Sequence, residues 1–146
     1  MKPGNPKLQK LALRLLEHEA TKSGNPDEPV TAIELCCQRL HDRLDRLIGA
    51  GGFFALLYRA LHLAKKKYGW LEGVGIEDYP GCEFKDLREA VKGKKPTTVN
   101  EACTFILANV IWLLVTFIGE DITFGLIQEA WPDVRTDIAG PSSKEA

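Results

Sequence analysis

The sequence lacks a strong net charge, because 19 basic residues nearly balance 20 acidic ones and leave a formal charge of −1. Such a chain has no long-range field to attract nucleic acid or anionic lipid, so we expect neither as a partner. The sequence also lacks an apolar stretch at residues 1–6, which read Met-Lys-Pro-Gly-Asn-Pro. We therefore predict no secretory signal and a cytoplasmic location.

Residues that bind metals are few and badly spaced for that purpose. The three histidines form no H-x-x-x-H or E-x-x-H pattern, which would put two ligands on one face of a helix: His18, His41 and His62. The four cysteines match no zinc or redox spacing: Cys36, Cys37, Cys82 and Cys103. We expect four reduced thiols, no metal and no cofactor.

The glycine-rich segment Gly49-Ala50-Gly51-Gly52 lacks the features of a phosphate-binding loop. It does not match G-x-x-x-x-G-K-[ST] or G-x-G-x-x-G, and no strand pattern precedes it. Each glycine costs a helix about 1 kcal/mol relative to alanine. We therefore predict a break in a helix, as a turn or as a kink, with Gly49, Gly51 and Gly52 as a candidate hinge.

The chain does contain regular helical patterning. With 146 residues, 45% hydrophobic and 27% charged, it matches one globular domain. Apolar residues recur at i, i+3, i+4 and i+7 in several segments, beginning with Leu8, Leu11 and Leu15. We predict an all-α single-domain bundle of five or six helices, ordered over about 7–132. Residues 1–6 and 133–146 are predicted to be flexible, and about 69–82 to form an irregular loop.

Two S/T-x-x-E sequences predict where helices begin. Thr31 with Glu34, and Thr98 with Glu101, each fit a capping box, in which both side chains accept hydrogen bonds from backbone N–H groups of the first turn. A further short helix is predicted over 83–91, and a helix that begins with Glu120 is predicted to end near Trp131.

The segment from Val99 to Ile118 predicts a long apolar helix at the centre of the bundle. A membrane span needs about 20 apolar residues and is oriented by flanking basic residues. The uncharged run within it, from Ala102 to Ile118, is a little short of that length, has acidic residues at both ends, and carries Asn109 near its middle. Because the neighbouring helices are amphipathic and need an apolar partner, we expect a buried core helix and no membrane partner.

Two sets of residues are candidate binding sites. Arg39, Arg43 and Arg46 share a helix face and are either a docking site for an acidic partner or a solvated face. A second set on the long helix could line a pocket for a small apolar ligand: Phe105, Asn109, Trp112 and Phe117. For Asn109 we also expect a hydrogen-bond partner, such as a backbone carbonyl near the glycine break.

Parts of the sequence resemble a group of small, uncharacterised α-helical bacterial proteins. The resemblance rests on RLIG followed by F-x-A-L-L-x-R-A-L-x-L-A from Arg46 onward, and on LVTFIGE from Leu114 followed by Trp131-Pro132. It covers about residues 35–132. It implies a bacterial, self-contained helical domain and brings no activity or site residue with it.

These observations together favour a non-enzymatic interaction or regulatory protein that binds another protein, or a second copy of itself, through a helix face. The alternative is a helical bundle that binds a small apolar ligand in its core. No motif in the sequence identifies catalytic residues, so an enzyme of unfamiliar type is the third and least favoured alternative.

Overall fold

A computed structural model of the chain describes residues 5–23, 29–77 and 83–136. Within these ranges lie a 3-10 turn at Gly69–Leu71, two short strands, β1 (Gly75–Glu77) and β2 (Glu83–Lys85), and five α-helices: α1 (Pro6–Ser23), α2 (Pro29–Lys67), α3 (Leu87–Ala90), α4 (Pro96–Ile118) and α5 (Glu120–Ala130). The helices pack on one another, which confirms the predicted all-α bundle.

Helix α4 is the centre of the bundle, as its apolar sequence predicts. It packs against α1, α2 and α5, and nearly every residue from Ala102 to Leu114 is buried. By length and hydropathy alone α4 could cross a membrane, but 61% of its most apolar window is buried inside the protein. Since the core helix of a folded domain meets the same criteria, this burial favours the core interpretation.

The capping box predicted at Thr31 and Glu34 is wrong. Helix α2 already begins at Pro29, so both residues lie inside the helix. Glu34 accepts a hydrogen bond from the backbone N of Phe84 (2.9 Å) and pairs with Arg88 (3.1 Å), which also donates to Thr31 Oγ1 (2.9 Å). The two side chains thus hold the β2–α3 segment against α2.

The second predicted capping box, at Thr98 and Glu101, does not form either. Helix α4 begins at Pro96, two residues before Thr98, and its N-cap residue Lys95 makes no side-chain capping bond. Proline suits this first position because its fixed φ is helical and its missing N–H would have no helical acceptor. The proline therefore sets the start of the helix.

The ordered core extends beyond the predicted limits of 7 and 132. Asn5 caps α1, since its Oδ1 accepts a hydrogen bond from Lys7 N (2.8 Å). After α5, Gln128 Nε2 donates to three backbone carbonyls, while Thr136 Oγ1 donates to Gln128 Oε1 (2.7 Å) and Val134 is buried. The flexibility predicted for 1–4 and 137–146 concerns residues outside the described ranges.

The irregular loop predicted at 69–82 contains regular structure, and residues 78–82 of it lie outside the described ranges. Strands β1 and β2 pair antiparallel, with Ile76 opposite Phe84. Both of these side chains are buried, whereas Glu83 and Lys85 are exposed. This alternation is typical of a strand and corrects the helix predicted over 83–91, of which 87–90 form α3.

Candidate functional site

Arg39, the first of the three arginines, is part of the internal packing. Its Nε lies 3.0 Å from Glu19 Oε2, its Nη1 donates to the carbonyl of Ala130 (3.2 Å), and its guanidinium lies 5.6 Å from the ring centroid of Trp131. These contacts join α1, α2 and the end of α5. Arg39 therefore contributes to the fold rather than to an open docking face.

Glu19 is a buried carboxylate that has two partners. Besides its pair with Arg39, its Oε2 accepts a hydrogen bond from the indole Nε1 of Trp131 at 2.7 Å. The side chain of Glu19 is 4% exposed and that of Arg39 is 36% exposed, so the pair reaches the surface only on the arginine side. A buried charge needs such partners, and this contact is a structural one.

The buried thiols near this junction are poor candidates for nucleophiles. Cys36, Cys37 and Cys103 are buried, whereas Cys82 lies outside the described residues. Burial is the largest influence on Cys36 and raises its pKa well above the ordinary value, with neighbouring Cys37 and Glu19 adding to the effect. Because the thiolate is the nucleophilic form, a raised pKa lowers the reactivity of Cys36.

The other two arginines of the predicted docking stripe differ from Arg39. Arg43 lies 3.4 Å from Glu129 of α5, and both side chains are largely exposed, so the pair contributes little stability. Arg46 is exposed and forms no ion pair with any residue that the structure describes. The three side chains therefore do not form a uniform basic surface, because two of them reach to α5.

Gly49 makes the break in α2. It has φ 74° and ψ 162°, a conformation that is essentially restricted to glycine, while the residues on either side of it are helical. Gly51 and Gly52 lie within the helix that continues after it. Of the three candidate hinge residues, Gly49 thus forms a kink between a first half of α2 (29–48) and a second half (50–67).

The four residues predicted to line a core pocket do not share one cavity. Phe105 packs on Tyr68, with ring centroids 5.9 Å apart, beneath the ammonium group of Lys67. Asn109 is fully buried and its Nδ2 donates to the carbonyl of Ala60 at 3.5 Å, in the second half of α2 and away from the glycine break. Trp112 is half-buried and packs against the core, whereas Phe117 is 68% exposed.

An open groove lies beside Phe117, between the second half of α2 and the end of α4. Its volume is about 630 Å³. Arg59 is the one charged residue among the described residues that line it, and the others are small or apolar: Ile48, Gly52, Ala55, Leu56, Leu113, Phe117 and Ile118. We call this feature the apolar groove.

The sequence spacing explains why one face of α2 lines the groove. Gly52, Ala55, Leu56 and Arg59 stand at i, i+3, i+4 and i+7, so they share one face of α2. Ala55 is small and exposed, which leaves room above α2, whereas the side chain of Ile48 lies over Gly52. Gly52 by itself predicts only a helix break; the signal for this face is the helical spacing of Gly52, Ala55 and Arg59.

The chemistry of the apolar groove is that of binding. Its described lining has no carboxylate, imidazole, thiol or hydroxyl, so it offers no general acid, base or nucleophile. Among the described residues as a whole, no three metal-ligating side chains come close enough to hold an ion. The groove can accept an apolar group and can place an anion beside Arg59.

Comparison with protein-family models, curated proteins and solved structures finds no match to this chain. The resemblance to small helical bacterial proteins stays a prediction.

Proposed function

We propose that this chain is a non-enzymatic interaction protein that binds another protein through the apolar groove. The observation that carries the proposal is Phe117, whose side chain is 68% exposed at the edge of a groove lined almost entirely by apolar residues. Aromatic side chains are enriched where proteins bind each other, and an exposed aromatic residue beside a pocket is typical of an interface anchor.

The apolar groove, and not the predicted stripe of arginines, is the docking face that we propose. Arg39 and Arg43 already contact α1 and α5 within the chain, so a partner would have to compete for them. Arg59 is part of the groove and forms no ion pair with a described residue. A partner that fits must present an apolar side chain together with a nearby carboxylate.

Site-specific photocrosslinking in the native host tests this proposal. We would replace Phe117 with p-benzoylphenylalanine and, as the matched control, replace Leu35 in the same way. Leu35 is 40% exposed and does not line the apolar groove. We expect a covalent adduct with a protein from position 117 and none from position 35. The absence of any protein adduct at position 117 would overturn the proposal.

A second candidate function is the binding of a small apolar ligand in the same groove. Its volume of about 630 Å³ falls within the range of roughly 300–1,000 Å³ of small-molecule sites. Native mass spectrometry of the protein purified without detergent tests this candidate. A retained small molecule that is lost in Ala55→Leu, which would place a larger side chain in the groove from an exposed position, supports ligand binding, and an unmodified mass in the wild type contradicts it.

A further inference from the structure

We propose that a second groove, lined by the first turns of α1, the end of α2 and the first turns of α4, binds the phosphate monoester of a small sugar or polyol. This groove shares no described lining residue with the apolar groove, so it goes beyond the proposed function. Its volume is about 960 Å³, within the range of roughly 300–1,000 Å³ of small-molecule sites. We call it the polar groove, because most of the described residues that line it have polar or charged side chains.

Thr104 places a buried hydroxyl without a partner in the polar groove. It is the one buried residue among the described residues that line the groove, and 8% of its surface is exposed. Its hydroxyl forms no hydrogen bond with any described residue, whereas the hydroxyl of Thr116, on the same helix, donates to the carbonyl of Trp112 (2.9 Å). A buried polar group without a partner is costly, so a molecule that enters the groove must supply one. Thr104 therefore marks the inner end of the site.

Two lysines give the polar groove an affinity for anions. Lys10 of α1 and Lys67 of α2 line it, both are exposed, and neither forms an ion pair with a described residue. The ammonium group of Lys67 lies 4.5 Å from the ring centroid of Phe105, and this contact holds it against α4. A phosphate monoester carries close to two negative charges at neutral pH and has three acceptor oxygens, so it suits two cations better than a carboxylate does.

The start of α4 adds to the positive potential. Thr97 lines the polar groove from the first turn, which contains no acidic residue, and the N-cap residue Lys95 makes no side-chain capping bond. The N-terminus of this 23-residue helix carries a partial positive charge that favours a phosphate group. The helical rise puts Thr97 and Thr104 about 10 Å apart along the axis of α4. A ligand that reaches both is therefore longer than a bare phosphate.

Glu101 identifies the rest of the ligand as a donor of hydrogen bonds. It is the one acidic residue among the described residues that line the polar groove, it is exposed, and it forms no ion pair with a described residue. It lies between Thr97 and Thr104 in sequence, and its carboxylate accepts hydrogen bonds only. The hydroxyl groups of a sugar supply such donors. We thus expect the phosphate at the lysines and the start of α4, and the sugar at Glu101 and Thr104.

Titration of the isotope-labelled full chain with three probes, followed by two-dimensional NMR at constant ionic strength, tests the site. The probes are ribose 5-phosphate, inorganic phosphate and ribose. We expect ribose 5-phosphate to shift the amide signals of residues 97–104 and to bind about tenfold more tightly than inorganic phosphate, because it adds hydrogen bonds to a charged group. Ribose should bind most weakly. Equal binding of the two phosphates would overturn the assignment of the ligand, and the absence of shifts with both would overturn the site.

Matched lysine variants distinguish the polar groove from a general effect of charge. Lys10→Gln and Lys67→Gln should each raise the dissociation constant for ribose 5-phosphate about fivefold or more, because each removes a charged donor. Lys7→Gln and Lys66→Gln remove the same charge at exposed positions that do not line the groove. These two controls should stay within about twofold of the wild type, since exposed charges outside the site are screened by salt. An equal loss in all four variants would overturn the inference.

Thr104→Val tests the buried hydroxyl, because it replaces the hydroxyl with a methyl group of similar size. We expect this variant to bind ribose 5-phosphate more weakly than the wild type. The urea midpoint of the ligand-free variant should equal or exceed that of the wild type, since a buried hydroxyl without a partner has been removed. A lower midpoint together with unchanged binding would show that the hydroxyl serves the fold and would overturn the inference.

Discussion

Single residues decide how the core of this bundle accommodates charge, and Glu19 is the clearest case. On α1, the buried positions run through Leu8, Leu11, Leu15 and Leu16, and residue 19 is the next position on that face. A carboxylate stands there and is nevertheless buried, because Trp131 and Arg39 both contact it. The sequence shows the position but not the partners, which are 20 and 112 residues away along the chain.

The contacts of Glu19 predict a specific loss of stability. We expect Glu19→Ala to lower the free energy of unfolding by about 2 kcal/mol, since the indole N–H loses a charged acceptor in the interior. In this variant Arg39 keeps its hydrogen bond to the carbonyl of Ala130 and is 36% exposed, so the loss of its ion pair with Glu19 adds little to the destabilisation. Urea denaturation measures the change. Glu17→Ala, an exposed neighbour on the same helix, should stay within about 0.5 kcal/mol of the wild type.

The buried thiol of Cys36 leads to a prediction of how its reactivity and the stability of the protein depend on pH. Its pKa is raised in the folded protein, first of all by burial. The unfolded chain, whose thiols ionise near about pH 8.5, therefore releases this proton at a lower pH than the folded protein. Stability from this group should fall as the pH rises above that value.

Alkylation followed by peptide mass mapping checks the Cys36 prediction. At about pH 8, just below the ordinary thiol pKa, we expect iodoacetamide to leave Cys36 unmodified in the native protein and to modify it fully in urea. Rapid labelling of the native protein at this site would contradict the prediction. It would show that the thiol is accessible and would make Cys36 a candidate nucleophile.

Among the elements, α2 shows most directly how one residue shapes a helix. Gly49 has a positive φ, whereas Gly51, two residues later, is helical and has open space where a Cβ would lie. The same substitution should therefore have opposite effects at the two positions. Gly49→Ala should destabilise the protein by about 1–3 kcal/mol through backbone strain. Gly51→Ala should stabilise it by roughly 0.4–1 kcal/mol, because the unfolded chain loses freedom.

Thermal and urea denaturation of the two glycine variants separate these effects. Equal destabilisation by both variants would mean that the whole segment, and not Gly49 alone, requires glycine. Stabilisation by both would mean that the kink is dispensable and that α2 can run straight. Gly52 is unsuitable as the control, because a Cβ there would lie 3.2 Å from the Cβ of Ile48.

The start of α2 shows why a prediction of helix capping from local sequence can fail. Thr31 and Glu34 have the spacing of a capping box, and the helix does begin nearby. Their side chains instead bind Phe84 N and Arg88, at least 50 residues later. The spacing of residues along the sequence indicates only local hydrogen-bond partners. Here the backbone N–H of Phe84, which is distant in sequence, binds the carboxylate of Glu34 instead. The strand at 83–85 was missed for a related reason, since its hydrogen bonds go to a separate strand, β1 at 75–77.

For the molecule as a whole, helical spacing and apolar content were sufficient to predict the bundle and its central helix. They could not predict the candidate site, because a groove forms where the side chains of two packed helices leave a gap between them. Phe117 belongs to the same uncharged run as Ile106 and Leu107, yet it is 68% exposed while they are fully buried. The difference arises from the packing of α2 and α5 on α4, which the sequence of α4 alone does not contain.

The central position of α4 leads to a prediction about the opening of the whole molecule. Backbone amides from 102 to 114 are buried against α1, α2 and α5, so their exchange with solvent requires that these helices separate. We expect these amides to exchange with a free energy equal to that of global unfolding, measured by hydrogen–deuterium exchange and urea denaturation. Amides of β2 and α3, which have few contacts with the rest, should exchange at lower free energies.

By length and hydropathy, α4 fits both a core helix and a membrane helix. The exchange experiment also distinguishes these two interpretations. A core helix is protected in aqueous buffer, because other helices exclude water from its amides. A membrane helix in the absence of lipid would expose its apolar face to water and exchange with little protection. We therefore expect added phospholipid vesicles to leave the exchange of residues 102–114 unchanged. Protection that appears only with vesicles would contradict the core interpretation and would change the partner from a protein to a bilayer.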